Sequence, residues 1–146
     1  MWDTVISISI FDHWLSEVEA DQSNIICYDI SLKNNSLDEY LNGEEKFLNF
    51  YYQIFDEYSF KDNKKIDFDE YTATVIQSLR EQRLMDIYVQ NGRIRLQGGF
   101  DRTDQLFLAN RSLIPDIIKK LEISKLHILE IMSYDCLLYT SPSPRD

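Results

Sequence analysis

The sequence is poor in the residues that punctuate or cross-link a chain. Four glycines and three prolines in 146 residues exclude collagen-like and low-complexity classes. Two cysteines, Cys27 and Cys136, are too few for a disulfide framework. The two histidines, His13 and His127, have no His, Cys or carboxylate at metal-ligand spacing, so no metal, no cofactor and no catalytic residue is expected. No apolar run approaches the ~18 residues that cross a bilayer. Met1 to Phe11 lacks the basic start and small-residue cleavage site of a secretory signal. A cytoplasmic protein is expected.

Positive charge is also scarce. Fifteen Lys and Arg face 25 Asp and Glu, a formal net charge of -10. The imbalance is placed rather than spread. Residues 1–35 hold six acids and one lysine, and residues 36–71 hold ten acids and four lysines. Residues 72–146 hold nine acids and ten bases. Such a field repels nucleic-acid phosphates and anionic lipid, and it speeds encounter with a basic protein. Arg93, Arg95, Arg102 and Arg111 could form a local basic patch, but thin aromatic interleaving and the net charge argue against nucleic-acid binding.

What is present is period. Thr4 to Phe11 alternates, with Ile6, Ile8 and Ile10 on one side, as a strand does. Residues 12–23 fit a helical turn or a strand equally. Asn24 to Leu32 reads as a second strand carrying Ile26, Tyr28, Ile30 and Leu32. Ser36 with Glu39 forms a capping-box pattern at a helix start, and Gly43 is expected to interrupt that helix. Phe47, Phe50, Tyr51, Ile54, Phe55 and Tyr58 then give an aromatic helical face. Phe50, Tyr51 and Tyr52 are consecutive, so at least one must face outward. Asp67 with Glu70 caps the next helix, whose buried stripe is Phe68, Tyr71, Val75, Ile76 and Leu79.

Asn91-Gly92 between two alternating runs predicts a type I′ hairpin that pairs Val89 with Ile94, Tyr88 with Arg95 and Ile87 with Leu96. Gln105 to Ala109 extends this meander. Ser112 to Leu121 reads as a helix with Pro115 in its first turn. Leu126 to Met132, apolar on both sides, reads as a central strand. The expected class is α+β: a single mixed β-sheet with a hairpin meander in the second half, two central helices and a C-terminal βαβ-type crossover helix. Residues 1–135 form one domain, read as truncated at its C-terminus. Residues 136–146, CLLYTSPSPRD, resemble translated sequencing adaptor and read as a non-native tail.

Phe55 to Tyr71 is similar to a calcium-binding EF-hand, with Ile66 and Glu70 at its bridge and bidentate positions. Lys61 and Lys64 stand where that loop needs an oxygen ligand and a glycine, so a capped helix after a polar loop is the expectation. His127 is expected as a core imidazole and Cys27 as a buried thiol. Gly98 to Asp104 is expected to be a turn rather than a phosphate loop.

With no catalytic motif, the chain reads as a small protein-binding module rather than an enzyme. The most concrete form is an immunity or inhibitor protein that occludes a basic toxin such as a nuclease. The expected contact set is Asp38, Glu39, Tyr51, Tyr52, Asp56, Glu57 and Tyr58, acids for steering and rings for anchoring. The alternatives are a truncated regulatory or accessory domain of a larger protein, marked by an exposed sheet edge near residues 126–135, and a small enzyme, marked by a cleft joining His13 or His127 to carboxylates.

Overall fold

The computed structural model describes residues 2–133. The tail-like segment 136–146 lies outside the described residues. Seven strands form one sheet: β1 (Thr4–Ser9), β2 (Phe60–Lys61), β3 (Lys64–Lys65), β4 (Asp86–Val89), β5 (Ile94–Gln97), β6 (Thr103–Leu108) and β7 (His127–Ser133). Five helices accompany it: α1 (Glu17–Gln22), α2 (Tyr28–Lys33), α3 (Leu37–Ile54), α4 (Phe68–Leu79) and α5 (Ile114–Ser124). The strand order is β3-β2-β4-β5-β6-β1-β7, and every neighbouring pair is antiparallel.

The α+β class holds, and the sheet is antiparallel rather than mixed. The crossover survives in altered form. β6 and β7 both run antiparallel to β1, hence parallel to each other, and α5 joins them across it. The alternating β1 therefore takes the interior place, with all six residues buried. β7 is an edge strand, not a central one, and Ile131 and Met132 are exposed on it. His127, expected in the core, is exposed at its start.

Register sorts the two faces. Ile87, Leu96, Leu106 and Ile6 pair in sequence across β4, β5, β6 and β1, and they meet α3, α4 and α5 in the core. Phe60, Tyr88, Arg95, Phe107, Val5 and Met132 form a row on the opposite face. Trp2 lies on that row, with its ring 6.2 Å from Tyr88 and 6.1 Å from Phe107. Arg95 sits 5.5 Å above both the Tyr88 and Phe107 rings and forks onto Asp86 at 2.8 Å twice. The helix-free face thus closes with its own side chains.

The hairpin forms in the expected register, with Asn91 and Gly92 both at positive φ and Arg93 N donating to Gln90 O. The Asp67 side chain accepts from Glu70 N and caps α4. Two expectations fail. Ser36 makes no side-chain cap, because its hydroxyl donates back to Asn34 O. Residues 28–33 form α2 instead of a strand, and Cys27 is its half-buried N-cap residue. There Ser31 is buried and Leu32 exposed, the reverse of an apolar strand face.

α3 runs unbroken through Gly43. A side chain there is barred by Arg102: a Cβ would stand 2.7 Å from its Nη2 and 3.2 Å from Ile10 Cδ1. Helix propensity alone favours Gly43→Ala by about 0.5–1 kcal/mol. Because Arg102 is pinned, overpacking costs of about 1–3 kcal/mol prevail. Urea denaturation of Gly43→Ala is expected to show a net loss of about 1 kcal/mol or more, and a gain would contradict this packing.

Candidate functional site

The titratable groups that burial perturbs most are absorbed in the frame. Ile8 pairs with Asp104, which puts that carboxylate on the helix side of the sheet beneath α3. Tyr51 Oη donates to Asp104 Oδ2 at 2.6 Å, and Gly99 N donates to Oδ1 at 3.1 Å. Burial pushes the Asp104 carboxyl up to about 6, and the two donors and Arg102 partly oppose it. Tyr71 Oη donates to Tyr51 O, and Tyr40 Oη donates to Leu79 O. Burial raises all three phenols, Tyr40 to about 12. Each hydroxyl joins α3 to another element, so none is free for acid–base work.

Arg102 is buried beside them. Its Nη1 donates to Ile25 O at 3.0 Å, its Nη2 donates to Tyr40 O at 3.1 Å, and its guanidinium lies 3.9 Å over the Tyr40 ring. The other arginines of the expected basic patch are dispersed as well. Arg95 is held by Asp86, and Arg111 forks onto Asp3. In the loop from Gly98, Asp104 and Arg102 turn inward and only Phe100 and Asp101 are exposed.

The expected contact set divides. Tyr51 is wholly buried on Asp104 and is unavailable to a partner. Asp56 is half-buried and builds its own loop: Oδ1 accepts from Tyr58 N, Ser59 Oγ and Gln90 N at 3.1–3.3 Å. Asp38 and Glu39 are exposed in the first turn of α3. That turn lies about 24 Å along α3 from Ile54, at a rise of 1.5 Å per residue, and Glu57 and Tyr58 follow that far end, so the seven residues are not one patch. Tyr52, Glu57 and Tyr58 are exposed as expected.

Two features assemble around these three. Asp56 orders the loop so that Glu57 and Tyr58 line a cleft of about 380 Å³ with Ser59, Phe60, Asn63, Lys65 and Asn91. On the neighbouring turn, Tyr52 meets Phe68, the first residue of α4, in a tilted pair with centroids 5.1 Å apart, and both rings are exposed. Phe55 connects Phe68 to buried Tyr71, at 5.3 and 4.7 Å. Asp67 and Asp69 flank Phe68 and are exposed. The sequence reading placed Phe68 in the core. It lies at the helix start, against Tyr52 and Phe55 at the end of α3, and stays exposed.

Other candidate chemistry is thin. Among the described residues no three His, Cys, Asp or Glu could hold a metal ion. Glu70 of the EF-hand-like stretch pairs instead with Lys61, 3.4 Å away. His13 contacts Asp12 at 2.7 Å and Glu19 at 2.8 Å, but all three are exposed. The Asp12 and Glu19 carboxylates raise the imidazole, and His13 in turn lowers Asp12. Compared with known proteins, the chain matches no family, no curated protein and no solved structure.

Asp104 yields a pH prediction. Its folded value lies above the ordinary 3.8, so folding takes up a proton between about 4 and about 6. This group's contribution to stability therefore falls as pH rises through that window. Asp104→Asn keeps a neutral group in place. Asn can accept only one of the bonds from Tyr51 and Gly99 N, so the pH dependence is the diagnostic quantity: the variant's stability relative to wild type is expected to rise between pH 4 and pH 8 by up to about 3 kcal/mol, at about 1.36 kcal/mol per pK unit. Denaturation at both pH values checks it, and a pH-independent difference would contradict it.

Proposed function

We propose that this protein is a small acidic binding module that acts by covering a basic protein. In its most concrete form it is a cytoplasmic immunity or inhibitor protein for a bacterial toxin such as a nuclease. The observation that carries the reading is the pairing of exposed rings with carboxylates at the end of α3: Tyr52 on Phe68, and Tyr58 beside Glu57 at the cleft. Exposed rings of this kind are frequent anchors of interfaces, and acid around them steers a cationic partner. The absorption of Asp104, Tyr40, Tyr51 and Tyr71 into structural bonds supports a role without chemistry of its own. The test is calorimetric titration with a purified cationic toxin encoded beside this chain's gene. The double variant Glu57→Lys with Tyr58→Ala is expected to weaken binding at least tenfold, with affinity falling as salt rises. Unchanged affinity would contradict the assignment of this surface, and absence of binding would contradict the reading itself.

One observation favours the second reading, an accessory domain of a larger protein. β7 pairs with β1 on one side only among the described residues, and it exposes Ile131 and Met132. An uncovered edge of this kind invites a further strand. Under this reading, extending the chain with its natural downstream codons protects the β7 amides that do not pair with β1 from hydrogen exchange. Equal exchange in both forms would reject it.

A further inference from the structure

The segment between β1 and α2 has little to hold it, yet it is well made. α1 buries none of its six residues. An isolated helix that short does not persist in water, so its local bonds must sustain it. Glu19 N donates to Ser16 Oγ at 3.1 Å, and Ser16 N donates to Glu19 Oε1 at 2.9 Å, a complete capping box. Glu19 Oε2 also meets His13 Nε2, whose other ring nitrogen faces Asp12. Four side chains thus keep in shape a helix that contributes nothing to the core.

That helix and its approach carry apolar surface out into water. Trp14 is 53% exposed and Val18 62%. Trp is the residue type most enriched at binding hot spots. Acids dominate around them: residues 1–32 contain no Lys or Arg, Asp12, Glu17, Glu19 and Asp21 are all exposed, and the one group there that can take up a proton, His13, is held between Asp12 and Glu19. Behind this surface the arm is fastened, since Ile25 O accepts from buried Arg102 and Ile26 and Ser31 are buried.

We infer that the loop and helix from Asp12 to Gln22 form a docking surface for a basic protein, with Trp14 and Val18 as its anchors. This rests on the proposed function and adds a second contact, on the α1 arm, to the surface at the end of α3. The occupant follows from charge complementarity. A second copy would bring two chains of net charge -10 together, and nucleic acid or anionic lipid meets the same repulsion. A cationic protein surface with an apolar centre meets none.

The test uses the full chain, labelled with 15N, and a peptide of alternating lysine and leucine as probe at low ionic strength. Shift changes are expected to concentrate on residues 12–22 and the Trp14 indole. Trp14→Ala and Val18→Asp should each weaken binding at least tenfold. Phe100→Ala, an exposed ring outside the arm, should leave it unchanged. Unaltered thermal midpoints confirm that the variants remain folded. If the peptide binds with shifts at Tyr52, Tyr58 and Phe68 and Trp14→Ala has no effect, this inference is overturned while the basic-partner reading stands. If nothing saturable is seen, the inference is overturned and the basic-partner reading loses support with it.

Discussion

The junction of the α1–α2 arm, α3 and the sheet depends on one buried cation. Arg102 has no carboxylate within ion-pair distance among the described residues, and its Nε has no hydrogen-bond partner. A buried charge so placed needs compensation from its surroundings. It receives two backbone carbonyls, the face of the Tyr40 ring, and the longer-range fields of Glu44, Asp104 and Glu81. Each requirement fixes something elsewhere. Position 43 must lack a side chain so that α3 can approach. Position 40 must be aromatic. The Ile25 carbonyl must face inward, which ties the α1–α2 arm to the body. Ser9 Oγ donates to Arg102 O at 2.7 Å and holds the backbone of this residue against β1.

Around that cation, polar groups bind the layers where apolar packing alone would leave them free to slide. Tyr40, Tyr51 and Tyr71 carry their hydroxyls to Leu79 O, Asp104 and Tyr51 O. Arg80 forks onto Glu44 at 2.8 and 3.1 Å while covering the Tyr28 ring at 4.6 Å, joining α4, α3 and α2. Glu44 is buried, so removing Arg80 would leave an uncompensated charge and cost more than breaking an exposed pair. The proposed contact surfaces are what this frame leaves over: rings at the end of α3, and the α1 arm. Acids absent from the frame stay on the surface and set its field.

Local features were readable from residues alone. The Asn91-Gly92 turn fixed the register of its hairpin because two positive-φ residues and two alternating runs admit one pairing. Asp67 specified a helix start, and three consecutive rings required one to face out, which is Tyr52. Non-local features were not readable. The alternation from Ile26 to Leu32 mimics a strand, yet Arg102, 77 residues after Ile25, takes the Ile25 carbonyl, and the chain turns into α2. Apolar residues on both sides of β7 suggested an interior strand. Periodicity reports which side chains avoid water and is blind to whether a neighbouring strand exists. Tyr51 is buried rather than a contact because helical phase, set by the sheet beneath, decides which ring meets Asp104. The part Asp56 plays in its own loop is not legible locally, because its three donors come from the loop it shapes and from the hairpin.

Arg102 holds the arm that presents the proposed docking surface. The most direct test of that hold is hydrogen exchange on Arg102→Lys, which keeps the charge and loses the fork and the flat stacking face. The account predicts that amides of residues 23–33 and of the first turns of α3 lose protection together, while the β4–β5 hairpin keeps its own. Loss of protection spread evenly over the whole sheet, or an arm as protected as in the wild type, would contradict it.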